Sequence, residues 1–139
     1  MNLYSLHSNP EELHSFDVAP HKIPDLAYDL AWENPELRPK LEPVIMKHPE
    51  CSHYYALYVL KRPWSEAEPY IMKDPKWAYY YARAVLDHPW PEAEPYIMKD
   101  PKWAYQYAHH VLKRRWPEAE PYIMKLPAFW FLYKRKHNL

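Results

Sequence analysis

With 139 residues, 48% of them apolar and 26% charged, the chain is long enough for one domain and has the make-up of a soluble globular protein. It has no glycine and no threonine, which excludes primed hairpin turns, phosphate-cradling glycine loops and dinucleotide fingerprints, and its few Val and Ile against abundant Ala, Leu, Glu, Lys and Tyr favour helix over sheet. The formal charge is zero, yet residues 1–37 carry seven acids against Lys22 alone, while residues 38–139 carry seventeen bases and eleven acids, so the two parts sit near −6 and +6.

In chain order, residues 1–37 read as a divergent, acidic, helical N-terminal cap, in which PDLAYDLAWENPEL is a displaced echo of the repeated unit that begins at residue 38. That unit is 26 residues long and occurs as 38–63, 64–89, 90–115 and 116–139. The second and third units are identical at 19 of 26 positions, and Pro43, Pro69, Pro95 and Pro121 keep the interval, as do Pro49, Pro75, Pro101 and Pro127. Each unit encodes two helices. Asp74 and Asp100 are good N-caps, and Pro75 and Pro101 occupy the first helical position, where proline's missing N–H costs nothing. The helix so opened is expected to run about twelve residues, to the next proline cluster. In WPEAEPYIMK the prolines are four apart, which predicts a turn and then a short helix from Pro95, preceded by glutamates that favour its N-terminus.

Identities and differences between units fall on opposite sides of a helical wheel. Trp77, Ala78, Tyr79, Tyr81, Ala82, Val85 and Leu86 recur and occupy one arc, expected to pack between units, with Ala82 and Ala108 allowing close approach. The non-recurring stripe is Tyr80, Arg83, Ala84 and Asp87, then Gln106, His109, His110 and Lys113 one unit on. Its counterparts are Tyr54, Leu57, Tyr58 and Lys61 in the unit before, and Leu132, Arg135, Lys136 and Leu139 in the last. In the final helix Lys134 and His137 replace stacking residues, as a terminal unit requires. The expected fold is all-α, an α-solenoid of four to five two-helix repeats in an elongated right-handed array on the order of 40–50 Å long.

The D-P helix start and the proline-bearing connection resemble those of short α-helical arrays such as the leucine-rich variant repeats. The wording WPEAEPYIMKDPKWAY is similar to tandem repeats encoded in tailed-phage and bacterial genomes. The resemblance implies an architecture and brings no active site with it.

Little in the chain suggests catalysis. His109 and His110 are adjacent and expected to point about 100° apart, unlike the i, i+4 pair of a metal site, and neither metal nor cofactor is expected. Cys51 lacks a partner for an internal disulfide; taking Lys76 and Lys102 as its copies, its position is expected to be exposed. Glu66 and Glu68 recur beside proline, so a structural role is expected, and no enzyme activity. No membrane span and no secretory signal are visible, which predicts a cytoplasmic protein, in the host cytoplasm if the source is viral.

The expected function is therefore non-catalytic binding of a protein partner through the variable stripe, at Tyr54, Tyr58, Lys61, Tyr80, Arg83, Asp87, Gln106, His109, His110, Lys113, Arg135 and Lys136. The phage-like resemblance implies a host protein as that partner, including one of a defence system. Two alternatives differ in kind: phosphate-backbone contacts with nucleic acid through Lys113, Arg114, Arg115 and the tail Lys134, Arg135, Lys136, or capture of a small anionic ligand between repeats. Either a monomer or a head-to-tail oligomer is compatible with the charge asymmetry.

Overall fold

The computed structural model describes residues 23–139, and over them the chain is all-helical, with no strand. Lys22 and the rest of residues 1–22 of the expected cap lie outside the described residues. Helix α1 (Ile23–Glu33) is followed by a 3-10 turn (Pro35–Leu37) and α2 (Arg38–Ile45). Short and long helices then alternate: long α3 (Pro49–Tyr54), short α4 (Glu68–Ile71), long α5 (Pro75–Tyr81), short α6 (Glu94–Ile97), long α7 (Pro101–Tyr107), short α8 (Glu120–Ile123) and long α9 (Pro127–His137). None is long and apolar enough to cross a membrane among the described residues.

The long helices begin as their sequence dictates. Asp74 Oδ1 accepts from the Lys76 and Trp77 amides at 3.1 and 3.3 Å, and Asp100 repeats the device on Lys102 and Trp103. Their ends differ from a regular α-helix. After α3, α5 and α7 the winding loosens into a π-helical turn, at Tyr55–Leu60, Ala82–Leu86 and Ala108–Leu112. Each helix with its π turn spans about twelve residues and is closed by a left-handed residue, Lys61, Asp87 or Lys113, with φ of 55°, 57° and 56°. Helix α9 has no π turn, and its left-handed residue is Asn138. Twenty-six residues beyond Lys113 would be Leu139, so closure comes one residue early, as the loss of the one-residue π insertion requires.

Short helices start beside proline because the chain turns there. Pro95 is at the first turn of α6, and the same holds for Pro69 and Pro121. In the first unit α2 is longer and carries Pro43 within it.

Packing keeps to the 26-residue interval. Helix α3 lies against α5, α5 against α7 and α7 against α9, and each long helix also touches the short helix after it. The buried positions recur in step: Trp64, Ala67 and Ile71, then Trp90, Ala93 and Ile97, then Trp116, Ala119 and Ile123. Ala82 and Ala108 are fully buried, so the helices approach closely there. Each large buried side chain contributes roughly 1.5–3 kcal/mol, more than a lone unit has the surface to collect.

One tyrosine per unit fastens these layers. The Tyr81, Tyr107 and Tyr133 hydroxyls accept the backbone N–H of Trp64, Trp90 and Trp116 at 2.8, 2.7 and 2.8 Å. Tyr107 and Tyr133 also donate to Glu94 and Glu120, and Tyr55 to Glu42. Rings continue the fastening across the unit boundary, with Tyr81 on Trp90 and Tyr107 on Trp116, centroids 5.1 Å apart. Thus Glu94 and Glu120, the second glutamates of their EAE segments, each hold a buried hydroxyl, while Glu66, Glu92 and Glu118 are exposed.

Cys51 departs from expectation, because it is buried and its thiol donates to Asp25 at 3.4 Å. At an interval of 26 it matches Trp77 and Trp103, which face inward; Lys76 and Lys102 match Glu50. Burial and the Asp25 carboxylate push this thiol up to about 12, so it is a poor nucleophile at neutral pH.

Candidate binding groove

Recurring residues go into the core, and the non-recurring stripe divides into two regions. Along α3 with its π turn, and at Tyr80 of α5, it is aromatic. Tyr54 and Tyr58 stack on each other at 6.0 Å and are exposed, and Tyr54 meets Trp77 edge-on. Tyr80 faces outward on the wheel but is half-buried, its ring among Trp77, Tyr79 and Trp103. Its bulk bridges α5 and α7 and is not a free contact surface.

Over the π turns that end α5 and α7 the stripe is polar and concave. A groove of about 540 Å³ is walled by Arg83, Asp87 and His88 from the end of α5, by His109, His110 and Lys113 from the end of α7, and by Lys136 of α9, over a floor of Ala82 and Val111. It gathers Arg83, Asp87, His109, His110, Lys113 and Lys136. Tyr54, Tyr58, Lys61, Tyr80, Gln106 and Arg135 do not line it. His88, Ala82 and Val111 are additions that the sequence pattern misses, because the first lies beyond the helix and the other two belong to the recurring arc.

Arg83 is held from behind. Its Nη1 donates to the Tyr79 hydroxyl at 2.8 Å, and Tyr79 is itself buried. His109 and His110, expected to diverge, meet edge to face with centroids 4.4 Å apart. His109 also stacks on Tyr105, and His110 lies against Tyr79. Burial first, then the Lys136 and Arg83 charges, hold His109 below the ordinary imidazole range. Burial, Arg83, His109 and Lys136 do the same for His110. Both rings are therefore neutral at pH 7, and the buried Nδ1 of His109 finds no hydrogen-bond partner among the described residues.

The basic run 113–115 does not act as one patch. Lys113 faces the groove, Arg114 donates to the Arg115 carbonyl, and Arg115 pairs with Glu120 at 2.6 Å. In the tail, Lys134 lies 5.7 Å over the Trp130 ring and His137 lies on Tyr133, so only Lys136 reaches the groove. Among the described residues no group of three or more His, Cys, Asp or Glu is placed to hold a metal ion.

Lys113 takes positive φ although it carries a Cβ, a conformation that costs most residues on the order of 1 kcal/mol. Lys113→Gly is thus expected to stabilise the fold by about 1 kcal/mol, read as a higher urea midpoint with an unchanged slope.

Comparison of the chain with protein-family models, with curated proteins and with solved structures finds no significant match.

Proposed function

We propose that the chain is a non-catalytic binding protein. In this reading it is an α-solenoid of four 26-residue units (38–63, 64–89, 90–115, 116–139) behind a divergent cap (1–37), and it holds a protein partner on the variable face of its long helices. An anionic group of that partner sits in the groove. The observation that carries the reading is the split between recurring and non-recurring residues. Recurring Tyr, Trp, Ala and Glu are consumed by packing and fastening, whereas six non-recurring ones converge on one concavity with three cations and one carboxylate. The exposed Tyr54 and Tyr58 extend the surface with the kind of area that protein contacts use. On the reading of WPEAEPYIMKDPKWAY as a phage-like repeat, the proposed partner is a host protein, including a defence protein, in the host cytoplasm.

Affinity capture from a host lysate tests this, with nuclease-treated and high-salt arms. One stoichiometric protein is expected to survive nuclease and to be lost from the combined variant Arg83→Ala, Lys113→Ala, Lys136→Ala. Loss on nuclease treatment would transfer the function to nucleic acid, whose phosphate contacts also weaken steeply with salt.

A further inference from the structure

We infer that the groove is a site for a phosphate dianion, free or as a phosphomonoester, gripped by Arg83, Lys113 and Lys136 with His109 and His110 donating from its wall. The inference rests on the reading of this groove as the recognition surface, and it narrows the anion.

Charge comes first. Arg83, Lys113 and Lys136 against Asp87 leave a surplus of two positive charges with the imidazoles neutral. A peptide carboxylate would neutralise half of that; a phosphate dianion neutralises all of it and offers oxygens to several donors. The carboxyl ends of α5 and α7 oppose the anion, each with roughly half a negative charge. Two protonatable rings at the same spot offset those ends once an anion is seated.

Geometry agrees. Tyr79 engages one guanidinium nitrogen and fixes the plane of Arg83, which leaves the other edge of its fork for a ligand. His109 lines the groove, and its buried Nδ1 has no hydrogen-bond partner among the described residues, so the ring is not committed to a protein acceptor and is free to turn and donate to a phosphate oxygen. A volume of about 540 Å³ also leaves room for the organic part of an ester.

Binding is coupled to protons. His109 is faced by Arg83 of α5 and by Lys136 and His137 of α9, with Tyr105 and His110 on its own helix. His110 is faced by Arg83, Tyr79 and Lys136. Burial and then the cations lower both rings in the free protein, and a bound dianion reverses the cations' share, so the rings take up protons on capture at pH 7.

The test is calorimetric titration of the 139-residue chain at pH 7 with inorganic phosphate, phenyl phosphate and succinate, in two buffers of unlike ionisation heat. Saturable binding of phosphate and of phenyl phosphate is expected, with proton uptake read on phenyl phosphate, which is already a dianion at pH 7 whereas inorganic phosphate releases part of a proton when it binds as one. Both are weakened at least tenfold by Arg83→Gln and by Lys113→Gly, the second of which does not depend on a weakened fold. Tighter phenyl phosphate would mark an ester as the ligand, and equal binding free phosphate. Succinate binding as well as phosphate would overturn the phosphate assignment while leaving an anion groove. Binding indifferent to both substitutions would place the ion elsewhere and overturn the proposal. No binding of any of the three would overturn the groove's role as well.

Discussion

Replacing Tyr107 with alanine is expected to lower the unfolding free energy by about 3–5 kcal/mol, and replacing it with phenylalanine by about 1–3 kcal/mol. The ring is fully buried against Trp116, and the hydroxyl both accepts the Trp90 N–H at 2.7 Å and donates to Glu94 at 3.0 Å. Phenylalanine keeps the ring but leaves a buried amide without an acceptor, so its cost isolates the fastening from the packing. Burial and the Glu94 carboxylate also raise the phenol well above its ordinary range, so the bond persists at any pH at which the protein is handled. Urea unfolding of the two variants beside the parent measures both quantities. A phenylalanine variant as stable as the parent would mean that the hydroxyl does not fasten the layers.

The second large effect is an acid limb set by His53. This residue is 4% exposed, its ring lies among Tyr54, Trp77 and Tyr80, and its Nδ1 finds no partner among the described residues. Burial lowers it from 6.5 to about 4. The unfolded chain therefore holds the proton more tightly than the folded one, and stability falls as pH drops through 6.5, levelling off near 4. That difference corresponds to about 3 kcal/mol, of which roughly 2 is lost by pH 5. His53→Phe is expected to remove that share of the pH dependence, because phenylalanine fills the same aromatic surroundings without a titrating nitrogen. Urea midpoints at pH 7 and pH 5 for parent and variant check it, and equal losses in both would assign the limb elsewhere.

Much of the helical plan is legible in the sequence because it is written in residues with local effects. Asp74 and Pro75 mark a helix start within three residues, and the interval between prolines sets the alternation of short and long helices. Other features depend on distant partners. The bond from the Trp90 amide to Tyr107 joins residues far apart in the chain, and no local pattern announces it. For the same reason Glu94, expected only to favour a helix N-terminus, holds a buried hydroxyl as well. The π turns are hidden because a wheel drawn at 100° per residue assumes regular winding, and such a wheel does not bring His109 and His110 together. Their one trace is the closure of α9 at Asn138, a residue ahead of the interval. Cys51 shows how a register error of one residue reverses an expectation of exposure. Of the groove, the charged members are visible as differences between units; His88, outside the stripe, and Ala82 and Val111, which recur, are not.

In the proposed reading the residues divide in two: recurring side chains hold the fold, and non-recurring ones are left for recognition. Thermal unfolding of the combined variant Arg83→Gln, Lys113→Gly, Lys136→Gln beside Tyr107→Phe tests this division most directly. A melting temperature at or above the parent's is expected for the groove variant, and a clear drop for the tyrosine variant. A groove variant that melts as early as Tyr107→Phe would contradict it.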